Sequence, residues 1–119
     1  MEKISINGRV YVPEDEIKEM ATNTDGLEYC VIRTYSAGVH AGYLAERNGK
    51  EVKLTNSRRL WKWAGAFTLS EIATKGVSKP DECKFACALP VIYLTEAIEI
   101  IPCTETARKS IEAVSEYEP

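Results

Sequence analysis

Tyr29-Cys30-Val31-Ile32-Arg33-Thr34-Tyr35-Ser36-Ala37-Gly38-Val39-His40-Ala41-Gly42-Tyr43-Leu44-Ala45-Glu46-Arg47-Asn48-Gly49-Lys50-Glu51-Val52-Lys53-Leu54-Thr55 is the stretch that decides the fold. Three runs rich in β-branched and aromatic residues, 29–35, 39–46 and 51–55, are separated by a Ser36-Ala37-Gly38 bend and an Arg47-Asn48-Gly49-Lys50 turn. Branched side chains pack well on a pleated surface, and Asn-Gly accepts the positive φ of a tight hairpin. Three antiparallel strands in quick succession are expected. After Asn56-Ser57, residues 58–63 suit a fourth strand, with Arg59, Trp61 and Trp63 on one face and Arg58, Leu60 and Lys62 on the other.

Thr68-Leu69-Ser70-Glu71 has capping-box spacing, which predicts a short helix to about Thr74 that stops at Gly76 and plugs one end of the sheet. Residues 79–82 read as loop and 83–89 as extended chain. Pro90 lacks the N–H that a central strand needs, so 91–94 reads as an edge strand or an approach segment. Residues 96–101 form a last strand closed by Pro102, and a C-terminal helix runs from Thr104 to about Val114. Upstream, Asn7-Gly8 lies between two β-rich runs, a hairpin signal, and Pro13-Glu14-Asp15-Glu16 opens a helix to about Ala21. The polar stretch 22–26 reads as a linker. The expectation is therefore an appendage of residues 1–26 and a main body of 27–119. Its class is α+β, a small, strongly bent antiparallel β-barrel or roll with one inserted helix and a C-terminal helix.

With 119 residues, 45% hydrophobic and 28% charged, the chain has the balance of one small globular domain, which excludes collagen-like, disordered and membrane-spanning classes. The first residues, Met1-Glu2-Lys3-Ile4-Ser5, reach acidic side chains before the apolar core of a signal peptide can form. A cytoplasmic protein with thiol cysteines is expected. The net charge of −3 is segregated: residues 29–63 hold seven basic and two acidic side chains, a surplus of five, and each flank is −4. A basic surface on an acidic protein suits one anionic ligand; the alternative is that flanking acids pair with these bases across the fold.

Cys30, Cys83, Cys87 and Cys103 have no zinc spacing, and with a single histidine they read as small core residues, so neither metal nor cofactor is expected. No phosphate-binding glycine loop or catalytic acid pair is present, and His40 has no signature partner, so the reading is not an enzyme. His40 is either a satisfied histidine or a ligand contact that stacks on a base or meets a phosphate. Tyr35, Arg58, Arg59, Trp61, Lys62 and Trp63 are the stronger signal. Planar Arg forks bind phosphate and aromatic faces stack on bases, although Trp61 and Trp63 can equally be core and Arg58 and Lys62 solvated charge.

The blocks 33–44 (Arg-Thr-Tyr-Ser-Ala-Gly-Val-His-Ala-Gly-Tyr-Leu), 57–73 (beginning Ser-Arg-Arg-Leu-Trp-Lys-Trp) and 94–102 (Leu-Thr-Glu-Ala-Ile-Glu-Ile-Ile-Pro) resemble a family of small proteins carried by tailed phages and prophages. The chain is similar, further, to phage anti-CBASS sponge proteins that sequester cyclic-dinucleotide immune signals. That resemblance implies a homo-oligomer that holds a cyclic dinucleotide between subunits, without hydrolysing it, in the cytoplasm of the bacterial host. Chemistry then assigns Tyr35, Trp61 and Trp63 to base stacking, Arg58, Arg59 and His40 to phosphate, Ser36 and Thr95 to hydroxyl hydrogen bonds, and Gly38 to close backbone approach. The alternatives are a small-barrel nucleic-acid-binding module and a virion or host-takeover interaction protein. None of these readings involves a membrane.

Overall fold

The computed structural model describes residues 19–119. The expected N-terminal hairpin, and the helix after it up to residue 18, lie outside them. Residues 19–21 are not helical: Met20 bridges Thr104, and the Ala21 N–H donates to the Cys103 carbonyl at 3.0 Å. The stretch read as a linker is a closed turn. The Asn23 carboxamide oxygen accepts from the N–H groups of Asp25 and Leu27, Thr22 bridges Glu28, and Ala21 is buried in the core of the main body.

The body is α+β. Its strands are β1 (Tyr29–Thr34), β2 (Val39–Asn48), β3 (Glu51–Lys62), β4 (Lys84–Phe85), β5 (Leu89–Leu94) and β6 (Ala97–Pro102); its helices are α1 (Leu69–Lys75) and α2 (Glu105–Ala113). All the ladders are antiparallel, in the order β4-β3-β2-β1-β6, with β5 also on β3. The β2–β3 turn is tighter than expected, with Asn48 facing Glu51 across Gly49 and Lys50. Gly49 supplies a φ of 64° there.

The expected third and fourth strands are one twelve-residue strand, β3, and the Asn56-Ser57 step between them is a bulge. Ala41 faces Arg58 and Tyr43 faces Thr55, so Gly42 alone opposes both Asn56 and Ser57. Asn56 has φ 49°, a left-handed value that asparagine tolerates. The bulge changes which face a given parity occupies. Val52 and Leu54 join one core, and Leu60, of the same parity, joins the other.

That switch divides the domain into two packed layers. Tyr29, Val31, Ala41, Tyr43, Leu60 and Phe85 meet Ile72 and Ala73 of α1 and Ala107 and Ile111 of α2. On the opposite face, Cys30, Ile32, Val52, Leu54, Leu94 and Ala97 pack on one another. The second core is possible because the sheet curls. β5, on the β3 edge, is joined through Thr95-Glu96 alone to β6 on the far edge beside β1, and the Ala97 N–H reaches the Lys50 carbonyl at 3.0 Å. Among the described residues no ladder joins β5 to β6, so the sheet they form is open and not a closed barrel.

The capping box forms as its spacing requires. The Thr68 hydroxyl accepts from the Glu71 N–H at 3.2 Å, the Glu71 carboxylate accepts from the Phe67 N–H at 2.8 Å, and Gly76 ends α1 with φ 81°. α1 lies against β1, β6 and α2 on a face of the sheet instead of plugging one end. A side chain at Gly42 has no space: its Cβ would lie 2.9 Å from the Ser57 Cα and 3.1 Å from the Thr55 carbonyl oxygen. Gly42→Ala is therefore expected to lose about 1–3 kcal/mol by overpacking, read as a lower urea midpoint. Gly49→Ala, in open space, is expected to show only the smaller cost of its positive φ.

Candidate functional site

Along the outer edge of β3, β4 ends at Phe85 and β5 begins at Leu89, leaving Ala86-Cys87-Ala88 outside either strand. The Ala86 N–H still holds the Arg59 carbonyl at 2.9 Å. Two cavities adjoin at this break. One, of about 270 Å³, is lined by His40, Ser57, Arg59, Cys87, Leu89 and Ile92 with Ala86. The other, of about 250 Å³, is lined by Arg59, Trp61, Lys84, Phe85 and Tyr117, again with Ala86. Arg59 and Ala86 belong to both, so the pair forms one groove with a guanidinium at its middle.

Strand periodicity places these groups together. His40 faces Arg59 across the β2–β3 ladder, and Ser57 is two residues from Arg59 on the same face. Trp61, two residues further on, is 68% exposed. The Lys84 ammonium lies 5.2 Å from the Trp61 ring centroid and 4.8 Å from that of Tyr117, within cation–π range of both. Among the described residues the ion pairs join Arg33 to Glu99, Lys53 to Glu46, and Arg108 to Glu105 and Glu112, so Arg59, Lys62 and Lys84 carry uncompensated charge. The basic surplus of the middle segment is thus partly spent within the fold and partly displayed beside Trp61.

Two buried polar groups form the inner end of the groove. Ser57 is 1% exposed and its hydroxyl has no hydrogen-bond partner among the described residues. His40 is equally buried, with Nε2 2.9 Å from the Ala37 carbonyl. A carbonyl only accepts, so Nε2 carries the proton and Nδ1 presents a lone pair. Burial, opposed by the Ala37 hydrogen bond and reinforced by the Arg59 charge, holds the imidazole below its ordinary value of 6.5. His40 thus offers the groove a neutral ring that accepts a hydrogen bond, and not the free N–H that the expected phosphate contact needs. Below pH 6.5 the unfolded chain binds a proton that the native ring resists, so the stability His40 contributes is complete above that pH and declines below it. Urea midpoints between pH 7.5 and 5 should fall, with a shallower slope in His40→Gln.

The other expected contacts divide three ways. Arg58 faces inward, 7% exposed: Nε donates to the Ala86 carbonyl at 2.9 Å and Nη1 to those of Ile111 and Val114 at 3.0 and 2.7 Å. With Nη2 3.5 Å from the Phe85 carbonyl as well, the guanidinium is a brace for the end of α2 in place of the expected phosphate contact or solvated charge. Trp63 is half-buried against the helix-covered core and lines neither cavity of the groove. Tyr35, Ser36, Gly38 and Thr95 line neither cavity of the groove and lie in the β1–β2 and β5–β6 connections. There Tyr35 lines a separate cavity with Lys50, Glu96 and Ile98, and the Ser36 hydroxyl meets the Glu96 carboxylate at 3.3 Å. Gly38, with φ 86°, shapes the β1–β2 loop, whose Ala37 carbonyl orients His40.

Sequence reasoning did not single out Ser57, Lys84, Tyr117, Leu89 or Ile92. The parity of Ser57 with Arg59 on one strand was the available signal for the first of these. Lys84 and Tyr117 come from β4 and the C-terminal tail, brought together by the Tyr117 N–H on the Phe85 carbonyl at 3.0 Å, and no local pattern marks them. Cys30, Cys83 and Cys103 are buried thiols and Cys87 is exposed, with burial pushing Cys30 and Cys103 up to about 12. Among the described residues no metal-holding cluster occurs, and no helix is long and apolar enough to cross a membrane.

These features define a small α+β domain with a basic, aromatic groove on one edge of an open antiparallel sheet. Residues 27–111 match the family described as Domain of unknown function (DUF6948), and the chain belongs to that family. No curated protein and no solved structure matches it.

Proposed function

We propose that the groove holds a cyclic dinucleotide or related nucleotide signal and sequesters it without hydrolysis, as a phage-encoded protein acting in the cytoplasm of its bacterial host. The observation that carries this reading is the position of Arg59, a guanidinium outside the ion pairs of the described residues that forms the shared wall of two adjoining cavities. Arg59 takes a phosphate in a two-pronged hydrogen bond, and Trp61 stacks on a base. The Ser57 hydroxyl and His40 Nδ1 meet the polar edge of a base in the inner cavity. The resemblance to phage sponge proteins supports the same assignment.

Each cavity, at about 270 and 250 Å³, falls below the roughly 300–1,000 Å³ of ordinary ligand pockets, so a second copy of the chain completes the enclosure. Leu89, Val91 and Tyr93 expose apolar side chains on β5, directly beside the groove, and supply the surface for it. Isothermal titration against a panel of cyclic di- and trinucleotides is expected to give submicromolar binding to at least one, with no new product on incubation. Folded protein that gives no heat with any member overturns the reading. The continuity of Arg59, Trp61, Lys62 and Lys84 along one edge also favours a nucleic-acid-binding module. That reading predicts affinity that grows with oligonucleotide length and falls steeply with salt.

A further inference from the structure

On the face of β3 opposite the groove lies a cavity of about 240 Å³ lined by Tyr29, Asn56, Arg58, Cys87, Glu112 and Glu116 with Ala88. Tyr29 is 0% exposed, and its hydroxyl has no hydrogen-bond partner among the described residues. A buried hydroxyl without a partner costs free energy that a bound polar group recovers. The ring is fixed by edge-on packing against Tyr43, centroids 5.0 Å apart at 75°, so the hydroxyl has little freedom to seek another partner. Burial and then the Glu112 charge push its titration up, which keeps the hydroxyl protonated.

The character of the occupant follows from the charges around this cavity. Arg58 is the cation on its wall, but its Nε and Nη1 are committed to the carbonyls of Ala86, Ile111 and Val114, and its Nη2 lies 3.5 Å from that of Phe85. Arg108 is committed to Glu105 and Glu112. Glu116 has no ion-pair partner among the described residues, and its parallel bridge to Phe85 holds it at the site. The carboxylates of Glu105, Glu112 and Glu116 thus exceed the two guanidiniums by one negative charge, and the available hydrogen-bonding capacity is mostly acceptor. An ammonium group has three N–H donors and no acceptor, which matches one phenolic oxygen and two carboxylates.

We propose that this cavity is a binding site for a primary ammonium group, such as a small aliphatic amine or the end of a diamine, held by Tyr29, Glu112 and Glu116. The test titrates the full chain with ethylammonium chloride, following amide resonances of Tyr29, Asn56 and Glu116 by NMR, with tetramethylammonium chloride at equal ionic strength as the comparison. Saturable shifts are expected with ethylammonium only, since tetramethylammonium has the charge but no N–H donor. Glu116→Gln, at an exposed position, is expected to weaken binding about tenfold, as removal of one charged hydrogen bond does. Tyr29→Phe keeps the packed ring and is expected to weaken it similarly. Equal responses to both cations, no saturable response, or unaltered affinity in Glu116→Gln overturns the proposal.

Discussion

Arg58→Ala is expected to remove about 3–5 kcal/mol of stability, since it leaves several carbonyls without a donor at about 1–3 kcal/mol each, out of a total of order 5–15 kcal/mol. The guanidinium joins three parts of the chain: Ala86 after β4, Ile111 in the last turn of α2, and Val114 at its C-cap. Its plane also lies over the Phe85 ring, 5.4 Å from the centroid. Removing it leaves buried carbonyls short of a donor and the negative end of α2 without its cation. Arg58→Lys is expected to recover little, because one ammonium cannot span the directions that the planar fork covers. Urea unfolding followed by far-UV circular dichroism measures both variants. A midpoint within error of the parent for Arg58→Ala would refute the brace.

Arg59→Ala, one residue away, is expected to do the reverse. Arg59 is exposed, lies outside the ion pairs of the described residues, and its substitution should leave the urea midpoint within about 0.5 kcal/mol of the parent. Nucleotide binding should weaken by about a hundredfold or more, because the two lost bidentate phosphate bonds are charge-assisted and each is worth about 1.5–3 kcal/mol. Trp61→Ala is expected to weaken binding by about tenfold or more, from the roughly 1–3 kcal/mol of one stacked base. Titration of both variants with the nucleotide that the parent binds tests this directly. Parent-like affinity in both would remove the groove as the site. The contrast between neighbouring arginines follows from strand alternation: one side chain enters the helix-covered core and the other enters the groove.

Local chemistry made the helix ends and hairpins legible. Thr68, Glu71 and Gly76 determine α1 through bonds that span at most four residues, and Asn48-Gly49 determines the β2–β3 turn in the same way. The alternation of residues 58–63 was also legible, because a strand has a period of two whatever covers it. Which face was covered was not. Arg58 and Leu60 are buried because α2 and the C-terminal tail pack over them, and those contacts lie 53 and 56 residues away in sequence. The Asn56-Ser57 step reads as a break from one strand alone. Only the opposing Gly42, which leaves room for two residues, shows it to be a bulge.

The candidate site divides along the same line. Sequence by itself determined that the middle of the chain is basic and aromatic, that Arg59 and Trp61 share a face, and that no cysteine or histidine pattern suits a metal. Tertiary structure alone decided that Arg58 is a brace, that Trp63 packs on the core, and that Tyr35, Ser36, Gly38 and Thr95 stay outside the groove lining. It also brought Ser57, Lys84 and Tyr117 to Arg59. The physical reason is range: propensity, capping and alternation act within a few residues, whereas burial and cavity lining depend on which distant elements the curl of the sheet presses together.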